Sequence, residues 1–574
     1  MNRKNINNTA RSQRMNNKSN NKIQLKVCTL SGTSEVGRNC NFVEYGNDII
    51  IIDAGFSFPG QEHYGIDYLI PNITYLKKNK KKIRGILITH GHLDHTGALQ
   101  YVLQDLDFPP IYAGAFANAL IKEKLKETDL KGKVKFVDVH RSTTIKLGAF
   151  NVKFIGVTHS IPNAFSIFIE SPQGNVFFSG DYKIDRDPKN EPETDYDSLR
   201  ALQGKIDLAL MESTNAYSEG KSKSASEIAE NIEDIIEKHK GRVVVAMFSS
   251  LLSRLYSVIQ IAEKTNRKVF ISGRSLNTAL KIAREKRYIV FNENLFVDER
   301  NVKKYPDDQV LFICTGSQGE RYAALNRISL GEHRNFKIKK GDLILLSASE
   351  IPPNIAQIEK MTDRLIAQGA DLIKNDTDAI HETGHGMKLD MKIMCEMINP
   401  KEVIPIHGSL TMRYQNKKNF LSWGHKEDTI HLTTDGQVWV KHGDGWKRSS
   451  LIESKPILID GLGVGDIGDI VLKDREQLAQ YGMVVVVMNL TSKNKKLIGR
   501  PQFVSRGFVY VKTSQQLFDE MEKIVVNKHN DWQREGEKKG VHSNKDLTHS
   551  IEKALSKFIY DRTEREPKIL PVTI

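Results

Sequence analysis

Apolar positions in this chain fall in short β-branched runs that end on turn residues, and these runs set the expected elements. Ile23–Leu30 alternates, Asn41–Tyr45 follows a glycine-bearing turn, and Asp48–Ile52 is almost pure isoleucine before Asp53-Ala54-Gly55. Runs of this length and period predict strands. Ile86–Ile88 reads as a buried strand, and the periodic segment Gly97–Leu103 reads as a helix. Asn151–Val157, Ala164–Glu170, Asn175–Ser179 and Asp207–Met211 predict further strands. From about 217 to 377 the pattern changes. Helices are expected over about 224–239, 250–264, 275–286 and 354–369, with strands at Arg242–Met247, Lys268–Ile271, Val310–Cys314 and Asp342–Ser347. This alternation predicts a parallel sheet covered by helices on both faces. Beyond 462 the chain reads as extended runs at 470–473, 483–489 and 508–512, with amphipathic helices near 513–527 and 545–560.

The length of 574 residues predicts about three or four domains, and 39% hydrophobic residues supply their cores. The formal charge of +14 suggests a polyanionic partner. Residues 1–22 hold Arg3, Lys4, Arg11, Arg14, Lys18 and Lys22, no acid and many Asn, which leaves +8 for the rest. That composition predicts a disordered basic tail. It has no apolar core of a signal peptide, and its scarcity of Ser speaks against a transit peptide. Cys28, Cys40, Cys314 and Cys395 form no C-x-x-C pair, as expected of buried thiols in a reducing cytoplasm. No run of 18 apolar residues is present, so no membrane span is expected.

Candidate chemistry collects where strands end. His90-Gly91-His92-Leu93-Asp94-His95 places four ligand-type side chains in six positions after one strand. Imidazoles and carboxylates suit zinc and related divalent ions. His90 and His92 can face one ion, and Asp94 and His95 a second. Asp53, His159 and Asp181 also follow strands. Asp181 is a carboxylate able to bridge, and Asp53 is placed to orient a ligand. Glu212 closes another strand, and His385 and His407 return late in the chain. In the 217–377 segment, strands end in Ser249-Ser250, Ser272-Gly273-Arg274-Ser275, Thr315–Glu320 and Ser347-Ala348-Ser349. Small polar residues, an arginine and helix N-termini can cradle a phosphate.

Asp53, the His90–His95 signature, His159 and Asp181, in this order and spacing, resemble the metallo-β-lactamase fold. The inserted alternating segment, with Glu212, His385 and His407, resembles its β-CASP branch. Asp460–Gly468, Ser505–Val511, Thr315–Glu320 and Glu212–Ala216 resemble the bacterial ribonuclease J family. The resemblance implies an α/β fold: an αβ/βα sandwich with an inserted β-CASP α/β domain and a small α+β C-terminal domain. The expected boundaries are a tail at 1–22, the sandwich over 23–216 and 378–443, the insert at 217–377, a linker at 444–461 and the last domain at 462–574. It implies a metal-dependent, cytoplasmic ribonuclease that hydrolyses single-stranded RNA in maturation and decay, 5′-to-3′ exonucleolytically and endonucleolytically. Two divalent ions per chain are implied, zinc first, with manganese or magnesium as alternatives.

By residue type and resemblance, one ion takes His90, His92, His159 and Asp181, and the other Asp94, His95, Asp181 and His407. His385 is then the group that protonates the leaving 3′-oxygen, and Glu212 holds its ring. Ser250, Arg274, Glu320 and Ser347 would hold the RNA 5′ phosphate. A homodimer or higher oligomer built through the C-terminal domain is implied, along with RNA-degradation partners. The sequence departs from the family at Ser31–Glu35, Leu251, Ser253, Pro353, Ile355 and Ser409. Two other classes account for part of the pattern. A small-molecule thioester or lactam hydrolase explains the ligands but not the insert, and a catalytically silent RNA-binding scaffold explains the charge but not the ligands.

Overall fold

The computed structural model describes residues 23–60, 62–351, 354–375, 377–509, 514–539 and 543–574. The basic tail and Pro353 therefore lie outside the described residues. The described chain divides into two compact units, one containing residues up to 57 with 70–456, the other 58–69 with 457–574.

Two mixed sheets form the body of the first unit. One has eight strands in the order Gly445–Leu451, Gln437–His442, Leu25–Ser31, Cys40–Tyr45, Asp48–Ile52, Ile83–Leu87, Ile111–Gly114 and Phe136–Val139. The other has six, in the order Glu402–Ile406, Leu208–Glu212, Gly174–Phe178, Ala164–Ser171, Phe150–Val157 and Thr144–Leu147. Val27, Val43, Ile50 and Leu87 of the first sheet pack on Phe154, Ile167, Leu208 and Ile404 of the second in one apolar core. On the outer face of the six-stranded sheet, Met394, Cys395 and Ile398 of helix Lys388–Ile398 and Phe420 of helix Leu410–Ser422 complete a second core. A layered αβ/βα sandwich results, as the resemblance implied.

The inserted segment builds a five-stranded, wholly parallel sheet in the order Lys268–Ser272, Val310–Cys314, Val243–Met247, Leu343–Ser347 and Asp371–Lys374. Its strands other than the edge strand Asp371–Lys374 are buried on both faces, as alternation with helices requires. Helices Leu252–Lys264 and Arg274–Glu285 lie within one bit of this core, and helix Ile355–Ala367 within the other.

Where the structure departs from the reading, polarity or an ambiguous run is the cause. The expected linker contains the strand Gly445–Leu451, whose side chains beyond Trp446 are exposed because it is a sheet edge. In the second unit, Ile470–Lys473 lies in helix Asp469–Tyr481 rather than in an extended run. The three-stranded sheet there pairs Met483–Met488 with Gln502–Arg506 and Lys568–Thr573, and Phe508 and Val509 are outside it. Helices Gln515–Lys539 and Asn544–Thr563 accompany this sheet; Leu547, Ile551, Leu555 and Ile559 of the second share a core with Val484 and Val486.

Candidate active site and metal centre

The carboxyl ends of the sandwich strands converge on one site. Asp53 follows Asp48–Ile52, the His90–His95 loop follows the neighbouring parallel strand Ile83–Leu87, and His159 follows Phe150–Val157. Asp181 follows Gly174–Phe178, Glu212 ends Leu208–Glu212, and His407 follows Glu402–Ile406. Asp53 and His407 both adopt left-handed backbone, with φ of 62° and 52°. Such conformations are disfavoured for side-chain-bearing residues and persist where the surroundings over-determine them. At Asp53 this turn aims the carboxylate back at the loop, where it accepts from the Thr89 amide and hydroxyl, each at 2.8 Å.

His90 Nε2 stands 3.0 Å from His92 Nδ1, which stands 3.1 Å from His159 Nε2. On the other side, Asp181 Oδ2 lies 3.2 Å from His95 Nε2 and 3.3 Å from His407 Nε2. Asp94 Oδ2 is 3.4 Å from His95 Nε2 and 3.8 Å from His407 Nε2. The same Asp181 oxygen is 3.6 Å from His90 Nε2 and 4.0 Å from His159 Nε2. It therefore stands between the histidine trio and the Asp94–His95–His407 group. Ligands 2.0–2.1 Å from a tetrahedral zinc stand about 3.3 Å from one another, so these spacings fit a shared cation.

The electrostatics agree with the geometry. Burial holds His90 and His159 well below the usual imidazole range, and His92 at about 4, so their lone pairs are free. Burial also opposes charge on His95, but Asp181, Asp94 and Asp53 overcome it and raise that ring well above its ordinary value. A place that draws a proton so strongly draws a metal cation for the same reason. Asp181 Oδ2 and His407 Nε2 are buried with no hydrogen-bond partner among the described residues, a costly state that a bound cation relieves. The residues present fit divalent metal.

Partners behind the ligands fix their rings. Asp53 Oδ2 lies 2.7 Å from His95 Nδ1, and His159 Nδ1 lies 2.6 Å from the Gly384 carbonyl. Asn39 Oδ1 stands behind His407, 3.0 Å from its Nδ1, while Asn39 Nδ2 lies 3.1 Å from His95 Nε2, the atom that faces Asp181. A carbonyl or carboxylate at one ring nitrogen leaves the other as the ligand atom. Nothing in the sequence around Asn39 announces this role. The unusual first turn still serves the site, because the His407 amide donates to Gly32 O at 2.9 Å. Ser409 caps helix Leu410–Ser422, its hydroxyl accepting from the Met412 amide.

His385 stands beside the ligands. Its Nδ1 is 2.6 Å from Glu212 Oε2 and 3.9 Å from Asp181 Oδ2. Burial works against its charge, but Glu212 and Asp181 outweigh it and hold the ring at about 9. Glu212 Oε1 accepts from the Tyr182 amide at 2.8 Å, which fixes the carboxylate. Asn215 Nδ2 donates to Thr383 Oγ1 and to the His385 carbonyl, both at 2.9 Å.

Gly384 permits the close approach on which this loop depends. A Cβ there would sit 2.5 Å from Ser160 Oγ and 2.8 Å from His159 Cε1. Gly384→Ala is therefore expected to displace both His159 and His385 and cut turnover by about 10²-fold, the cost of a misplacement near 1 Å. Steady-state kinetics at saturating substrate measure it, and an unchanged rate would show that the loop can give way.

The residues read as a phosphate cradle gather at the carboxyl edge of the inserted parallel sheet but differ in availability. Arg274 is exposed at the start of helix Arg274–Glu285, Glu320 is exposed, and Ser250 is half-buried. Ser347 is fully buried, accepting from Arg254 Nη1 at 2.9 Å and donating to Ile380 O at 2.7 Å. Its hydroxyl thus already has a donor and an acceptor beneath the edge. Leu251 and Ser253 are buried, and Ile355 opens helix Ile355–Ala367.

A metallo-β-lactamase sandwich with its ligands at the strand ends and an inserted parallel-sheet domain defines the class, that of metal-dependent hydrolases of the β-CASP type. Residues 33–215 match the metallo-beta-lactamase superfamily, residues 240–365 the ribonuclease J beta-CASP domain, and residues 470–574 the ribonuclease J C-terminal domain. The chain is 34% identical to ribonuclease J 1 of Streptococcus pyogenes over 96% of its own length and 98% of that protein's. It is 33% identical to ribonuclease J2 of Bacillus subtilis, covering 97% and 99%, and 32% identical to ribonuclease J 2 of Staphylococcus saprophyticus, covering 96% and 98%. This chain belongs to the ribonuclease J family. A crystal structure of a protein of unknown function from Enterococcus faecalis shares the fold, with a TM-score of 0.52 at 14% identity, over 73% of this chain and all of that one. No helix among the described residues is long and apolar enough to cross a membrane.

Proposed function

We propose that this chain hydrolyses phosphodiester bonds of single-stranded RNA at a two-metal centre, inward from a 5′ end and also internally. The observation that carries the reading is the single Asp181 oxygen set between two ligand groups, with His385 held beside it by Glu212. His90, His92, His159 and Asp181 would hold one ion, and Asp94, His95, Asp181 and His407 the other, most simply zinc. Bound divalent ions polarise a phosphoryl oxygen and make water a nucleophile near neutral pH.

The remaining work falls to the chain's own side chains. Glu212 keeps the His385 ring protonated, so that Nε2 offers a proton to the departing 3′-oxygen. Asp53 and Asn39 hold ligand rings in place and resist their rotation. Ser250, Arg274 and Glu320 border the sheet edge where a terminal phosphate would sit, with Arg274 supplying a charge-assisted contact. Oligomerisation through the C-terminal unit and a cytoplasmic location belong to the same proposal.

Competition between substrates tests the reading. The purified protein is expected to degrade 5′-monophosphorylated single-stranded RNA, spare duplex RNA and leave thioesters and lactams intact. Turnover of a thioester or lactam with inert RNA would favour the small-molecule hydrolase instead.

Arg274→Ala is expected to slow shortening of 5′-monophosphorylated RNA by about 10-fold, roughly the 1.4 kcal/mol of one charge-assisted contact. It should leave cleavage of circular RNA unchanged, because a circle offers no end. Equal slowing on both substrates would make Arg274 a general RNA contact.

A further inference from the structure

We propose that Arg254 is a positioning residue for His385, reaching from the inserted domain into the loop that carries the histidine. This rests on the reading of His385 as the group that protonates the leaving oxygen. Arg254 lies on helix Leu252–Lys264 and is 2% exposed. Its Nη1 donates to the Ile380 carbonyl at 2.6 Å and to Ser347 Oγ at 2.9 Å, and its Nη2 pairs with the Glu382 carboxylate. Glu382 is buried as well, with Oε1 3.9 Å from Lys183 Nζ. Lys183 in turn pairs at 3.0 Å with Asp185, whose Oδ2 accepts from the Ala225 amide at the start of helix Ala225–Lys238.

The loop from Ile380 to Gly386 has no helix or strand ladder of its own, so scattered side-chain and backbone contacts hold it. Downstream, Gly384 O takes His159 Nδ1, and the Gly386 amide donates to Tyr182 O at 2.6 Å. Upstream, Arg254 anchors both Ile380, whose carbonyl it shares with the Ser347 hydroxyl, and Glu382, with Lys183 further off. A planar guanidinium can serve a carbonyl, a hydroxyl and a carboxylate at once, which an ammonium on a flexible stem does less well. Removing that fork leaves Ile380 to the Ser347 hydroxyl and the Glu382 carboxylate without its close cation, so the upstream half of the loop loosens and His385 loses its fixed distance from Glu212. The terminus of strand Leu343–Ser347 shares the same guanidinium, so the sheet edge and the histidine are tied through one side chain.

A double-mutant cycle on the full chain tests the proposal. Arg254→Met and Arg254→Lys are each expected to lower kcat on single-stranded RNA by about 10- to 100-fold, with KM within about twofold and metal content unchanged. Linear and circular RNA should be slowed alike, in contrast to the Arg274 variant. In a His385→Ala background, neither Arg254 substitution should lower kcat further, because its effect passes through the missing ring. Should Arg254→Met fail to fold, Arg254→Lys carries the cycle. A full further loss in the His385→Ala background, or wild-type kcat in both Arg254 variants, overturns the positioning role. A wild-type rate in His385→Ala itself is a different result, and it defeats the reading of His385.

Discussion

Asp181→Asn is expected to abolish metal retention and turnover together. Its Oδ2 faces five imidazole nitrogens within 4.0 Å, those of His90, His95, His159, His385 and His407. A neutral amide of the same shape removes the charge that draws cations and cannot bridge two of them. The rate should fall by more than about 10³-fold, since losing a single oxyanion donor alone costs about 10²–10³. The metal-free variant should not melt below the metal-free wild type, because the amide can donate to His407 Nε2, which has no hydrogen-bond partner among the described residues. Elemental analysis after gel filtration, with thermal unfolding alongside, reads both effects. Full metal content in Asp181→Asn would show that the carboxylate is not a ligand.

His385→Ala separates proton delivery from metal binding. It should keep metal and RNA affinity while lowering kcat by about 10²–10⁴, the usual contribution of a positioned acid. Among the described residues Glu212 would then keep the Tyr182 amide alone as donor, a buried carboxylate losing its cationic partner. A modest fall in melting temperature is therefore expected, and it should be smaller in His385→Ala/Glu212→Gln. Loss of metal in His385→Ala would make the histidine a ligand, and unchanged kcat would make it a bystander.

Strand-end chemistry was legible because sequence and geometry coincide there. A buried run ending in His-x-His-x-Asp-His places its ligands at a sheet edge whatever the rest of the chain does. Family resemblance extended that view to the sandwich and the insert, and both are present. The supports behind the ligands were not legible. Asn39 meets His407, and Arg254 meets Glu382, across more than a hundred residues, with no local spacing to announce either contact. Ser347 looked like a phosphate contact because it ends a strand, yet long-range packing turned it inward. Ile470–Lys473 illustrates a different ambiguity. Its short apolar run fits either periodicity, and Asp469 opens a helix there. The strand Lys568–Thr573 was hidden by Pro571, which is tolerated because the strand lies at a sheet edge.

Metal dependence of RNA hydrolysis is read by a time course on 5′-monophosphorylated single-stranded RNA, before and after EDTA and after restoring zinc or manganese. Mononucleotides are expected to be released steadily, with release arrested by the chelator and recovered when the metal is returned. Undiminished RNA degradation by chelated, metal-free protein would contradict that dependence.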